Sequence, residues 1–375
     1  MRRLMICAGE SSGELYGALL SREIKKRWDD VEIIGIGGSR MKEEGVTLIA
    51  PILGAFGIAE LIRHLQGLKD SFRKAKEALI THRPQVLVLI DYPDFNIALA
   101  KRAKSLGIPI LYYVSPQVWA WRPQRARKIA SLVNKVAVLF PFEVEIYRNT
   151  GVPVEFVGHP IAETIDVSET KEELKQRLGL NPHIPVISLL LGSRPSEIKR
   201  HTPILKEVAS MIHKEMPEFQ IVIPLAPETN LTEKVPPYIT VLSGVTKEAI
   251  ACSEVSATAS GTVTLEAALL GTPMVVFYKL SPLTFFLGKL LVRVNFISLP
   301  NILSGKEVVV ELIQKRANAE NIFSEIKRIL MDKGYREEMI LNLSRIKEII
   351  GERTASVRVA SMVGELAGWE NTNDS

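Results

Sequence analysis

The chain is poor in cysteine. Cys7 and Cys252 are its only two, far apart and without metal-like spacing. That excludes a disulfide framework and a thiolate metal site, and it suits a reduced, cytoplasmic compartment. Long apolar runs are also missing, so no segment is read as spanning a bilayer. The opening "MRRLMICAGESSGE" carries two positive charges, but its apolar run is too short for a signal-peptide core. No low-complexity segment occurs. No dinucleotide fingerprint occurs either, because "GIGGSRM" and "AGESSGELYG" both have the wrong glycine spacing. No His, Cys and carboxylate cluster shows metal-ligand spacing. His159 and His201 stand singly, and each reads as structural or surface. No metal and no cofactor is expected. A net charge of +5 is too small to require nucleic acid, and none is expected as a partner. An anionic small substrate or an anionic lipid surface fits it as well.

What is present is a globular composition, 46% hydrophobic and 24% charged. Short apolar runs read as buried parallel strands at Leu4–Ala8, Val31–Ile36, Val86–Asp91, Ile108–Val114, Lys135–Phe140 and Val154–Gly158. Helical patterns alternate with them at Gly13–Trp28, Leu68–Thr81, Phe95–Ser105, Gln124–Ser131 and Pro141–Asn149. The pattern then restarts with "PVISLLLGSRPSEIKRH", followed by "FQIVIPLA", "ITVLSG", "VSATASG" and "TPMVVFY". This predicts an α/β protein of two Rossmann-like, doubly wound parallel-sheet domains. The boundaries are placed at 1–160 and 161–345, with a helical tail over 346–375. Two facing domains would put the loops at the strands' carboxyl ends on opposite walls of one cleft.

Those loops carry the candidate chemistry. "AGESSGELYG" follows the first strand, and Gly13 and Gly17 lie one helical turn apart. Glycine costs helix propensity, so something must approach the backbone there. A phosphate at the helix N-terminus and tight helix–sheet packing are both open. "IDYPDFN" puts Asp91 at a strand end and Asp94 three residues on. Two close carboxylates push one pKa up, which suits a general base, although Asp94 would serve equally as an N-cap. "LLLGSRPSE" brings Gly192, Ser193 and Arg194 to a helix start, where N–H groups and a guanidinium suit phosphate oxygens. "ATASGTVTLEAAL" repeats the theme. Ser260, Gly261 and Thr262 open a helix, and Glu266 lies one turn in, placed to accept from a ribose diol. Three stretches mix large apolar and basic residues: Leu53–Leu65, "VWAWRPQRARK" and Leu283–Pro300. Together they favour a membrane surface over plain buried helices.

"AGESSGELYGA", "IDYPDFN", "YYVSPQVWAWR", "LLLGSR", "ASGTVTLEAAL" and "SLPNIL", in this order from about Met5 to Gly305, resemble the lipid-A-disaccharide synthase family. The resemblance implies a GT-B fold with its last helix returned to the first domain. It implies transfer of 2,3-diacylglucosamine from UDP-2,3-diacylglucosamine to 2,3-diacylglucosamine 1-phosphate (lipid X). The products would be a β-1′,6-linked disaccharide and UDP, formed with inversion and without a bound metal. It also implies a peripheral place on the inner face of the cytoplasmic membrane; a homodimer through the tail stays open. By the same resemblance Asp94 is the base, with Asp91 second. Gly192, Ser193 and Arg194 hold the leaving diphosphate, and Ser260, Gly261, Thr262, Glu266 and Asn301 hold the uridine and diphosphate side. Gly9, Glu10, Ser12 and Gly13 form the acceptor loop. The chain departs from the family pattern at Ser11, usually Ala, and at Glu14, usually Asp; Glu14 is given no role. Rival readings are a lipid-linked N-acetylglucosamine transferase or UDP-sugar epimerase of the same fold, and a non-catalytic binding protein. "SPQVWAWR" separates the first two from this family.

Overall fold

The computed structural model describes residues 1–52, 61–116, 124–226, 229–231, 233–281 and 295–369. Most of the three apolar, basic stretches, at 53–60, 117–123 and 282–294, lies outside the described residues. The chain divides into two compact units, one of 1–163 with 350–375 and one of 164–349.

Unit 1 contains β1 (Arg2–Ala8), α1 (Ser11–Arg27), β2 (Val31–Gly37), α2 (Ser39–Glu43), β3 (Thr47–Pro51), α3 (Leu61–Thr81), β4 (Val86–Ile90) and α4 (Pro93–Ser105). It continues with β5 (Ile110–Tyr113), α5 (Gln124–Ala130), β6 (Lys135–Val138), α6 (Pro141–Arg148) and β7 (Val154–Phe156). Its sheet is parallel throughout, in the order β3-β2-β1-β4-β5-β6-β7. The central strands are buried on both faces: Leu4 to Ile6 of β1 and all of β4 are fully inaccessible. That is why they read as unbroken apolar runs. β3 escaped the sequence reading because it is an edge strand, "TLIAP", with little to bury.

Unit 2 contains α7 (Lys171–Arg177), β8 (Val186–Leu190), α8 (Pro195–Glu215), β9 (Gln220–Leu225), β10 (Ile239–Ser243), α9 (Thr246–Ala251), β11 (Ser253–Ala259) and α10 (Thr262–Leu269). β12 (Met274–Tyr278), α11 (Leu299–Ser304), β13 (Glu311–Ile313), α12 (Ala319–Met331) and α13 (Lys333–Ile350) complete it. Its parallel sheet runs β10-β9-β8-β11-β12-β13. Both sheets therefore reverse their winding once, between β1 and β4 in unit 1 and between β8 and β11 in unit 2. A reversal opens a crevice at the carboxyl edge, where ligands of open α/β sheets bind. Among the described residues no helix is long and apolar enough to cross a membrane.

The last helix, α14 (Ala355–Ala367), packs on α1 of unit 1. The contact depends on one glycine. A Cβ on Gly364 would lie 2.7 Å from Trp28 Cη2. Trp28 is itself buried and meets Trp369 edge-on, with ring centroids 5.1 Å apart. Gly364→Val should therefore destabilise unit 1 by about 2 kcal/mol through overpacking, although Gly is a poor helix former. A urea unfolding midpoint no lower than that of the unsubstituted protein would refute this packing.

Candidate active site

In unit 1 the winding reversal brings Gly9–Glu10, after β1, beside Asp91–Tyr92, after β4, because Ala8 pairs with Ile90. The second of these turns is strained. Asp91 (φ 49°) and Tyr92 (φ 47°) are consecutive non-glycine residues in the left-handed region, which costs of order 1–3 kcal/mol each. Two side chains hold the turn. Asn96 Nδ2 donates to Ile90 O (3.2 Å) and Asp91 O (2.8 Å), and Tyr112 Oη donates to the same Asp91 O (2.8 Å). The Asp91 N–H is shared between Tyr113 O and Val114 O. Pro93 then opens α4, with Asp94 in its first turn. Gly9 is required by this arrangement, since a Cβ there would collide with the Tyr92 ring.

The two acids of the turn stand in different surroundings. Asp91 is half-buried, and burial first, then the nearby Glu10 charge, raises its carboxyl from 3.8 to about 6. Asp94 is 87% exposed and its Oδ1 accepts from Arg125 Nη2 of α5 at 2.9 Å. Asp94 makes no side-chain cap, because the N-cap is Tyr92. Arg125, Asn96 and Tyr112 were not singled out from the sequence. Asn96 had a legible signal, an Asn just inside a helix that follows two acids; Arg125 is a long-range partner with none.

The glycines of α1 answer to packing. A Cβ on Gly13 would lie 3.3 Å from Ile90 Cγ2, and one on Gly17 would lie 2.8 Å from Met41 Sδ. Gly13 is buried against the sheet, where its missing side chain serves close helix–strand packing. Glu10, the exposed N-cap of α1, and the half-buried Ser12 stay at the carboxyl edge. Glu14 is buried, and its Oε1 accepts from Arg40 N at 2.9 Å, at the start of α2.

In unit 2 the reversal joins the turns after β8 and β11. Gly192 (φ 97°) makes the first turn, and a side chain there would strike Glu197. The N–H groups of Ser193 and Arg194 were expected to be open to a ligand. They instead donate to Glu197 Oε2, both at 3.2 Å, because a Glu three residues past the N-cap closes a capping box. Glu197 Oε1 accepts from Tyr278 Oη at 2.8 Å, tying the turn to the end of β12. The Arg194 side chain is half-exposed. One turn further, His201 donates from Nδ1 to Leu191 O (2.7 Å) and accepts at Nε2 from Lys279 N (3.3 Å). Burial lowers its pKa, so it is a neutral structural residue. His159, in unit 1, is also structural: its Nδ1 accepts from Ile161 N, and burial lowers its pKa to about 3.

The second turn differs from the first in having no carboxylate of its own. Gly261 is the exposed N-cap of α10 and no side chain caps that helix. Thr262 and Glu266, both partly exposed, lie four residues apart on one helix face. Ser260 Oγ donates to Ile297 O at 2.8 Å. Asn301 is placed inside the protein. It is fully buried, its Nδ2 donates to Val309 O and Glu311 Oε1, and its Oδ1 accepts from Val308 N and Val309 N, all within 3.0 Å. Its side-chain polar atoms are committed to the protein, which gives it a structural role at α11.

Two parallel-sheet units, each with its candidate residues at a winding reversal, are the GT-B architecture. Solved structures of that fold align over nearly the whole chain. A UDP-GlcNAc 2-epimerase from Neisseria meningitidis bound to UDP-GlcNAc matches with a TM-score of 0.67 at 14% identity, covering 97% of this chain and 100% of that one. MurG of Acinetobacter baumannii matches with a TM-score of 0.57 at 13% identity, again over 97% and 100%. The sequence decides within the fold. The lipid-A-disaccharide synthetase family model matches residues 4–360. The lipid-A-disaccharide synthase of Geobacter sulfurreducens is 42% identical over 98% of this chain and 97% of its own length, and that of Nitrosococcus oceani is 42% identical over 97% of each. The chain belongs to this family, the glycosyltransferases that make the lipid A disaccharide.

Asp91 yields a prediction with a definite sign. Its folded pKa, about 6, lies above its ordinary 3.8. Between those values the native state binds a proton that the unfolded chain does not, so stability falls as pH rises through the window. Asp91→Asn should therefore stabilise the protein by about 1–3 kcal/mol above about pH 7, with the gain fading below about pH 4. Urea unfolding at both pH values measures it; an equal effect at both would show that no raised pKa exists.

Proposed function

We propose that the donor is UDP-2,3-diacylglucosamine, the acceptor is 2,3-diacylglucosamine 1-phosphate, and the transfer proceeds by a single inverting displacement. The observation that carries this reading is the locked turn at Asp91–Asp94, where a protein of this family spends backbone strain to present two carboxylates at the carboxyl edge of unit 1. Asp94 takes the proton of the acceptor 6-hydroxyl. The hydroxyl oxygen forms the bond to the donor C1 from the face opposite the diphosphate. The C1–oxygen bond to the diphosphate breaks, and UDP leaves with the electron pair. The new linkage is β-1′,6. Arg125 orients the Asp94 carboxylate through their 2.9 Å contact.

The leaving group falls to unit 2. Arg194, at the turn after β8, supplies a fixed positive charge, and the uncapped N-terminus of α10 at Gly261–Thr262 supplies N–H donors. Glu266 accepts from the ribose hydroxyls. The acyl chains of both substrates place the enzyme at the inner face of the cytoplasmic membrane as a peripheral protein, in keeping with the apolar, basic stretches of the sequence. A second reading exchanges the acids: Asp91, raised to about 6, is tuned for a base at neutral pH.

Asp94→Asn should abolish disaccharide formation, to below about one part in a hundred, with UDP affinity unchanged; thin-layer assay with both acylated substrates in detergent and calorimetric UDP titration read the two. A fully active Asp94→Asn together with an inactive Asp91→Asn, and a lost pH limb near 6, would establish the exchanged roles. Arg194→Ala should weaken UDP binding about tenfold or more; unchanged UDP affinity would remove Arg194 from the diphosphate site.

A further inference from the structure

Glu311 lies on β13, the edge strand of unit 2, and is 7% exposed. Its carboxylate accepts four hydrogen bonds. Oε1 takes Ser298 N (2.9 Å), Ser298 Oγ (2.7 Å) and Asn301 Nδ2 (2.8 Å), and Oε2 takes Ile297 N (2.9 Å). All four donors are uncharged. Burying a carboxylate is costly, and an apolar side chain would fill the same space with less penalty. An ionised carboxylate, however, is the side chain that only accepts, with lone pairs for four donors. A Gln would present its own N–H₂ group to one side of the cluster.

The geometry imposed on Ile297 and Ser298 reaches the donor side. With the N–H groups of both residues drawn towards Glu311, the Ile297 carbonyl accepts a hydrogen bond from the Ser260 hydroxyl at 2.8 Å. Ser260 therefore has only lone pairs left for a ligand, in a fixed rotamer. We propose that Glu311 is a positioning residue of the donor site, which acts through the 297–298 backbone to hold Ser260 as a hydrogen-bond acceptor for a hydroxyl of the nucleotide. The inference rests on the reading that the turn at 260–262 contacts the UDP-sugar.

The test is a double-mutant cycle on UDP affinity with the full chain, joined to steady-state kinetics. Ser260→Ala should weaken UDP by about fivefold and Glu311→Gln by about threefold to fivefold. The double variant should be no weaker than Ser260→Ala alone, because both changes break one line of contacts. KM for the donor should rise while KM for the acceptor stays put, a split that general unfolding would not produce. Ser298→Ala keeps the carboxylate and removes one of its bonds, so it should weaken UDP by about threefold and carries the test if Glu311→Gln does not fold. Additive effects, or unchanged UDP affinity in Glu311→Gln or Ser298→Ala beside a weakened Ser260→Ala, would overturn the inference and leave the donor reading standing. Unchanged affinity in Ser260→Ala would overturn both.

Discussion

Where a parallel strand ends, its chain enters a turn whose backbone N–H groups have lost their ladder partners, and buried N–H groups must be satisfied. In this protein buried glutamates meet much of that demand. Glu14 accepts from Arg40 N beyond β2, Glu143 from Leu139 N and Phe140 N beyond β6, Glu197 from Ser193 N and Arg194 N beyond β8, and Glu311 from Ile297 N and Ser298 N. Each of the four is less than a tenth exposed. These turns are thus held by side chains from neighbouring elements, Glu143, Glu197 and Glu311 reaching back from the element that follows and Glu14 reaching forward from α1. Candidate binding loops built on such anchors keep their shape without a ligand, which is the preorganisation that transition-state stabilisation needs.

The two winding reversals solve different problems. At Asp91–Tyr92 the backbone is forced into the left-handed region and kept there by Asn96 and Tyr112. At Gly192 the same hand is reached without strain, because glycine adopts it freely. A turn that needed only to change direction would use glycine in both places. Retaining Asp and Tyr at the strained positions means that their side chains are wanted there. Tyr92 lies over Gly9 and stacks on Phe95, with ring centroids 5.5 Å apart, and so ties the two loops of unit 1 together.

Much of the fold was legible because its signal is local. Central strands such as Val86–Ile90 are apolar throughout since both faces are covered. The edge strands β3 and β13 were missed for the opposite reason: "TLIAP" and "ELI" are short, and one contains the buried Glu311. The site was legible at the level of loops, because the rule that ligands sit at carboxyl ends needs only strand order. It was less legible at the level of atoms. Nothing local tells an acid in contact with solvent from one consumed by the backbone, so Glu311 passed unnoticed and the full burial of Asn301 was not foreseen. Glu197 is the exception, since its place three residues past an N-cap announces a capping box. Gly13 shows the same limit for small residues: approach of a ligand and approach of a strand ask for the same absence of a side chain.

This distinction bears on how the transferase handles charge. The first turn of unit 2 already holds a carboxylate, Glu197, on two of its N–H groups. That turn therefore lacks the free dipoles usual for an anion site, and its Arg194 guanidinium also lies 3.4 Å from Glu197 Oε1. The turn after β11 is arranged the other way, with a helix start that no side chain caps and no acid within its first turn. The N–H donors and the fixed cation thus belong to different loops of the same winding reversal. A diphosphate has two phosphoryl groups to neutralise, and the proposed site, divided between a helix start and a guanidinium, would offer one group to each.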